Sequence, residues 1–120
     1  DILVMIILTS WVPETHLETV KEALFEKGAG RRGNYDRACY QTPVEGQFRP
    51  LENSTPFVGR VNTLEKTREY QLTVSCKDEY FEPVMAELLR VHPYEDPGIF
   101  VSRFKAVQKA GKIYYERAAP

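Results

Sequence analysis

The chain has 120 residues, and its 16 basic and 17 acidic side chains give a formal net charge of −1 at pH 7. This length suits a single domain with one core. Because the basic residues are interspersed with acidic ones, the composition argues against a nucleic-acid partner and an anionic membrane surface, both of which select a basic stripe.

The N-terminal segment and the cysteines predict a cytoplasmic protein. The first eleven residues are apolar, but they start with Asp1 and are shorter than the roughly 20 apolar residues that span a bilayer. They also lack the positive region of a signal peptide. Cys39 and Cys76 form no CxxC motif and lie in strand-like runs, so we expect buried free thiols.

The first third of the chain predicts a strand followed by a helix. Residues 2–9 form a run that is apolar on both faces, which indicates a central strand. Pro13 ends it, and Thr15 with Glu18 matches a capping box at the start of a helix. The apolar stripe of that helix comprises Leu17, Val20 and Leu24.

The segment from Gly28 to Gly59 is rich in glycine and proline, and the rest of the chain is arranged around it. Its Gly28–Gly33 run resembles a phosphate loop, but it follows a helix, whereas a phosphate cradle precedes one. A turn that ends the first helix is therefore favoured. The guanidinium of Arg31 remains a candidate anion ligand there.

Four extended segments are predicted around a polar loop, two before it and two after it. Residues 34–42 read as a strand without a clean apolar face, and residues 47–50 read as a short edge piece that ends at a proline. Residues 57–61 form another short extended piece. Residues 68–76 alternate between apolar and polar side chains and predict a half-buried strand.

A second helix and a last strand complete the pattern. Asp78 is the expected N-cap, and Pro83 implies that the helix starts later or bends. The predicted core face comprises Phe81, Val84, Met85, Leu88, Leu89 and Val91. The helix ends at His92–Pro93, because a residue before proline avoids helical geometry. Residues 99–104 read as a last core strand.

The element order is thus β-α-β, an irregular insert, and β-α-β. Two such halves predict an α+β, ferredoxin-like βαββαβ sandwich over residues 1–104. Residues 105–120 form a C-terminal extension that either adds an edge strand or docks on a neighbour. One sheet face would remain bare, so we expect a second subunit to cover it.

Several short motifs resemble the Nif-three-like family. The motifs, in chain order, are Val12-Pro13-Glu14, Gly28-Ala29-Gly30, Gly33-Asn34-Tyr35-Asp36, Gly46-Gln47-Phe48-Arg49-Pro50, Pro56-Phe57-Val58-Gly59 and His92-Pro93-Tyr94-Glu95. They resemble the domain that is inserted in longer members and also occurs alone. The last motif also resembles CutA proteins. The resemblance implies a CutA-like fold and a trimer or a multiple of it. It also implies that the two-metal site of longer members lies in other domains.

His92-Pro93-Tyr94-Glu95 is the sharpest candidate for a site. Imidazole and carboxylate groups suit a divalent metal ion, with Cys39 brought in across the sheet, so His92, Glu95 and Cys39 are the candidate ligands. The alternative is a rigid helix-to-strand junction in which His92 caps carbonyl groups and its neighbours lock a subunit contact.

A small anion or other small ligand is the second kind of occupant considered. Its candidate ligands are Arg31, Asn34, Tyr35, Asp36, Arg49 and Tyr94. For residues 34–36, a simple turn is the alternative. No catalytic residue is predicted, since neither paired carboxylates nor a nucleophile with its base is evident.

These observations leave three functional hypotheses. The leading one is a non-enzymatic, oligomeric binding or regulatory protein with a metal ion or small anion in a cleft between subunits. The second is a subunit of a metal-dependent hydrolase, of the kind named GTP cyclohydrolase among longer relatives. The third is an interaction module whose insert binds a partner protein.

Overall fold

The computed structural model describes residues 5–107 and 113–114. The elements in chain order are β1 (Met5–Pro13), α1 (Leu17–Glu26), β2 (Tyr40–Phe48), β3 (Glu65–Lys77), α2 (Phe81–Val91), β4 (Ile99–Phe104), β5 (Ala106–Val107) and β6 (Ile113–Tyr114). Short 3-10 turns, Glu14–His16 and Asp78–Tyr80, lead into the two helices.

Four strands form one antiparallel sheet in the order β2-β3-β1-β4. With the two helices as crossovers, this is the ferredoxin-like βαββαβ topology, so the predicted fold class is confirmed. β1 lies between β3 and β4, with one apolar face toward the helices and the other on the open side of the sheet.

The core lies between the helices and one face of the sheet. Ile6, Leu8 and Val12 of β1 alternate toward the helices and pack with a second set of buried side chains. That set comprises Leu17, Val20, Leu24, Leu72, Val74, Cys76, Val84 and Leu88. The predicted stripe of α1 is therefore confirmed. Of the predicted α2 face, Leu89 is wrong, since it is 58% exposed.

The predicted strand over residues 34–42 is wrong in its bounds. Residues 34–39 are mostly irregular, with an isolated bridge from Tyr35 to Arg32, and β2 instead runs from Tyr40 through Pro43 to Phe48. Pro43 is tolerated because β2 is an edge strand of the sheet. On its outer side no strand follows, so the missing proline N–H costs no hydrogen bond there. Residues 57–61 also form no strand, and they belong to the irregular insert.

Both helices begin later than the capping residues suggested. Neither N-cap, His16 or Tyr80, has a side-chain capping bond, and Thr15 hydrogen-bonds the His16 ring instead. Because α2 starts at Phe81, Pro83 falls in the first turn, where its missing N–H has no helical partner in any case.

The C-terminal residues that the structure describes form their own small sheet. Ala106–Val107 pairs with Ile113–Tyr114, separately from the four-stranded sheet. The rest of the predicted extension lies outside the described residues, and its docking on a neighbour stays a prediction. Within the described residues, no helix is long and apolar enough to cross a membrane.

Candidate functional site

A cleft of about 670 Å³ opens between the insert and the junction that follows α2. Its walls are aromatic, with Trp11 from β1, Phe48 from β2, Phe57 from the insert and Tyr94 from the junction. The volume falls within the range of small-molecule pockets, roughly 300 to 1,000 Å³. This cleft is the candidate site.

His92 anchors the junction that forms one side of the cleft. The ring is buried, its Nε2 lies 2.9 Å from the Trp11 carbonyl oxygen, and its Nδ1 accepts the Tyr94 N–H at 3.2 Å. Both contacts are satisfied by one neutral tautomer, in which Nε2 carries the proton. Burial lowers the pKa of His92 below its usual value of 6.5, and the hydrogen bond to Trp11 only partly opposes this shift. His92 therefore acts as a neutral structural link.

Tyr94 and Glu69 form the floor of the cleft. The Tyr94 hydroxyl donates to Glu69 Oε2 at 2.6 Å, and burial, together with the adjacent carboxylate, raises the pKa of Tyr94. The phenol thus remains a neutral donor. Glu69 is only 8% exposed. A Cβ at Gly46 would collide with Glu69 Oε1, so this position on β2 has to be glycine for the carboxylate to sit where it does.

Glu95 holds the insert against the junction. Its Oε2 accepts the backbone N–H of Thr55 at 2.9 Å, which joins two segments 40 residues apart in the chain. The insert has its own backbone bonds, from Asn62 N–H to the Pro50 carbonyl oxygen at 2.6 Å and from Ser54 N–H to the Leu51 carbonyl oxygen at 3.1 Å. The insert, which forms one wall of the cleft, is therefore held both by Glu95 and by its own backbone bonds.

The structure divides the predicted ligand residues between two places. Arg49, Tyr94 and Glu95 line the cleft, with His92 beneath it. The other predicted residues, Arg31, Asn34, Tyr35 and Asp36, lie on the turn after α1. That turn is bonded to the Ser75 carbonyl oxygen through Gly30, six residues along β3 from Glu69, or about 20 Å at the usual rise per residue.

The residues of that turn do not converge on a common point. Tyr35 is 77% exposed, Asp36 pairs with the neighbouring Arg37 at 2.9 Å, and the Arg31 guanidinium lies 5.7 Å from the Tyr80 ring centre. The backbone of the turn takes positive φ at Gly30 and Gly33, a conformation that glycine adopts readily.

The predicted metal ligands are engaged elsewhere. Both ring nitrogens of His92 contact backbone groups, and Glu95 accepts from Thr55. Cys39 packs against the core on the helix side, where burial raises the pKa of its thiol. Among the described residues, no group of three or more His, Cys, Asp or Glu side chains could hold a metal. The residues present do not fit a metal ion held by His92, Glu95 and Cys39.

Sequence reasoning missed Glu69, Trp11 and Phe57 as site residues. Glu69 reads as one polar position on an alternating strand, and Trp11 reads as part of a core strand. The available signal was the glycine of Gly46-Gln47-Phe48, which leaves room for the Glu69 carboxylate, but that contact depends on the register of β2 against β3, in which Gly46 lies opposite Thr67. The cysteine prediction is confirmed for Cys76, which is buried, and burial raises the pKa of its thiol to about 11.

Comparison with curated proteins shows a consistent set of relatives. The chain is 36% identical over 90 residues to a GTP cyclohydrolase 1 type 2 homolog from Halalkalibacterium halodurans, covering 75% of this chain and 24% of the relative. A protein of the same name from Mycobacterium leprae is 32% identical over 103 residues, which is 86% of this chain and 26% of that relative. No family model matches the chain.

A solved structure supports the same relationship. The Bacillus cereus protein related to NIF3 superposes with a TM-score of 0.75 at 27% identity, over 87% of this chain and 26% of that one. Over most of its own length the chain is similar to proteins of the Nif-three-like family. The resemblance predicted from its short motifs is confirmed. This Nif-three-like chain spans about a quarter of the length of the curated relatives that it matches.

Smaller proteins share the fold of this Nif-three-like chain along nearly their whole length. CutA from Archaeoglobus fulgidus superposes with a TM-score of 0.64 at 19% identity, over 88% of this chain and 89% of CutA. The GlnK–ATP complex from Bacillus subtilis superposes with a TM-score of 0.64 at 13% identity, over 92% and 94%. At these identities the likeness concerns the fold, and the predicted CutA-like fold is confirmed.

Proposed function

We propose that this Nif-three-like domain is a self-associating binding domain, non-enzymatic by itself, that takes a small ligand in the cleft beside its association face. The observation that carries the proposal is the position of Trp11. Its indole lines the cleft and also meets Phe100 edge-on, with ring centres 5.0 Å apart, on the uncovered face of the sheet. Ligand binding and assembly would therefore share one side chain.

The association face is a row of side chains that crosses the sheet on the side away from the helices. Register places Tyr40 opposite Thr73, Thr73 opposite Thr9, and Thr9 opposite Phe100. Tyr40 is 79% exposed and Phe100 is 67% exposed. Exposed aromatic side chains on a continuous face are characteristic of protein interfaces. We expect a homo-oligomer, a trimer or a multiple of it, that covers this row.

The test is size-exclusion chromatography with light scattering on the wild type and on a Tyr40→Ser/Phe100→Ser double variant. The wild type should elute as an oligomer, and the double variant should elute as a folded monomer. Leu89→Ser is the matched control, because Leu89 is also an exposed apolar residue but lies on α2. A monomeric wild type at micromolar concentration would contradict the assembly.

A second candidate function follows from the curated relatives, which are named GTP cyclohydrolase 1 type 2 homologs. Since the chain corresponds to about a quarter of their length, we propose that it would serve such an enzyme as an accessory domain. Metal-dependent hydrolysis by the isolated chain, lost on chelation, would favour instead the predicted hydrolase subunit. Three expectations stay predictions: a metal ion at His92, Glu95 and Cys39, a protein partner for the insert, and a cytoplasmic location. The contacts of His92 and Glu95 disfavour the metal ion.

A further inference from the structure

The charge of the cleft is opposite to what a small anion would select. Its acidic lining residues are Glu52, Glu69, Glu95 and Asp96. Arg49 is the one basic residue among the described residues that line it. A phosphate or carboxylate ligand would meet net repulsion from these groups, whereas a cation would be attracted.

Glu69 is the one buried carboxylate among the described residues that line the cleft. It is nearly fully buried, it accepts a hydrogen bond from the neutral Tyr94 hydroxyl, and none of the ion pairs found among the described residues includes it. A buried carboxylate is costly unless a cation or several donors neutralise it. Gly46 leaves the space that this carboxylate occupies, since a Cβ there would collide with Oε1.

A hydroxyl group adjoins Glu69. Thr67 Oγ1 is buried and lies directly opposite Gly46, on the same face as Glu69. A side-chain hydrogen bond from Thr67 lowers the pKa of Tyr94, although burial raises that pKa more strongly. Thr67 therefore belongs to the polar contacts around Tyr94, and Glu69 is the acceptor that this cluster presents to the cleft, which suits a ligand with N–H donors.

The walls specify the remainder of the ligand. Trp11, Phe48, Phe57 and Tyr94 present aromatic rings to the cleft, and the Phe57 and Tyr94 ring centres lie 6.2 Å apart. Aromatic faces stabilise ammonium and guanidinium groups, and they also bury apolar carbon. An inorganic divalent ion would gain little from such walls, because it prefers three or more oxygen or nitrogen ligands.

From these contacts we propose that the cleft binds a small organic cation, an ammonium or guanidinium group on an apolar body, with its charge paired to Glu69. This inference rests on the proposed function in assigning ligand binding to the cleft, and it adds the chemical class of the ligand. The cation is a free small molecule rather than a basic side chain from a second copy.

The experiment is isothermal titration calorimetry of the full chain with three probes that share one phenyl body. Phenethylamine is cationic at neutral pH, 2-phenylethanol is neutral and 3-phenylpropionate is anionic. Because a charge-assisted hydrogen bond adds about tenfold or more in affinity, we expect phenethylamine to bind at least that much more tightly than the alcohol, and the anion to bind least.

Glu69→Gln and Glu79→Gln form the matched pair of variants. Both remove one negative charge, but Glu79 is exposed on the turn before α2. Glu69→Gln should abolish the preference for phenethylamine over the alcohol, and Glu79→Gln should retain it. If Glu69→Gln fails to fold, the order of the three probes on the wild type still decides the question.

Several outcomes would overturn the inference. Tighter binding of the alcohol or the anion would show that the cleft takes a ligand but not a cation, and the proposed function would stand. No heat from any probe would remove ligand binding from the proposed function as well. Two further results would also reject the organic cation. One is tighter binding of manganese ion alone, lost in Glu69→Gln. The other is dissociation of the oligomer by phenethylamine, which would indicate a basic side chain from a second copy.

Discussion

The two ends of the sheet contrast in how their side chains are held. At the cleft, contacts join distant segments: His92 with Trp11, Tyr94 with Glu69, and Glu95 with Thr55. At the glycine turn, backbone bonds hold the loop, such as Ala38 N–H to the Gly30 carbonyl oxygen at 2.9 Å, and its side-chain link to α1, from Arg37 to Glu22, is exposed. Both ends carry polar motifs, but their side chains come together only at the cleft. A polar motif therefore indicates a functional site when buried contacts orient its side chains.

The largest expected effect comes from removing the buried link at the cleft. His92→Leu would leave the Trp11 carbonyl and the Tyr94 N–H without their partners, so we expect a loss of about 3 kcal/mol in the free energy of unfolding. Urea denaturation measures it. His16→Leu is the control, since the His16 contact with Thr15 is exposed, and its cost should stay below about 1 kcal/mol. Equal costs for the two variants would remove the contrast between buried and exposed histidines.

A smaller effect is expected at the glycine turn, where the backbone carries the structure. In Gly30→Ala, the new Cβ would meet the Ala38 carbonyl oxygen at 2.7 Å in a residue with φ of +76°, so we expect a loss of about 2 kcal/mol or more.

Gly33→Ala separates backbone strain from that collision. Gly33 also has positive φ, at +55°, but nothing lies within 4 Å of its Cβ position, so the cost should be about 1 kcal/mol. Thermal or urea unfolding of both variants gives the difference. If Gly33→Ala cost as much as Gly30→Ala, backbone conformation alone would account for the turn.

The smallest expected effect is a dependence of stability on pH. Because the pKa of His92 is lower in the folded chain than its usual 6.5, the unfolded chain takes up a proton at a higher pH than the native chain does. The His92 contribution to stability is therefore complete above the unfolded value, and it declines as pH falls below about 6.5. Below the folded pKa this contribution stops changing.

Urea midpoints measured at about pH 7.5 and about pH 5.5 test this contribution, since these values bracket the usual histidine pKa. The decrease between them should be smaller in His92→Leu than in the wild type. A wild-type midpoint that rises on acidification would contradict a lowered pKa for His92.

Much of the fold could be predicted because periodicity records burial directly. One face of the apolar β1, the Leu17, Val20 and Leu24 stripe, and the alternation before Cys76 all correspond to the observed core. The wrong bounds predicted for β2 show where hydrophobic periodicity gives no information. An edge strand with one exposed face and an internal Pro43 has no apolar pattern to detect, and only its pairing with β3 defines its bounds.

The sequence by itself determined the ferredoxin-like order of elements, the central position of β1 and the family relationship, because each depends on local patterns or short motifs. Tertiary structure alone decided the cleft. Tyr94 and Glu69 are 25 residues apart, and Thr55 and Glu95 are 40 apart. Such pairs meet only through strand register and the path of the insert. Whether a carboxylate is exposed or buried, and so whether its charge selects a ligand, follows from that packing.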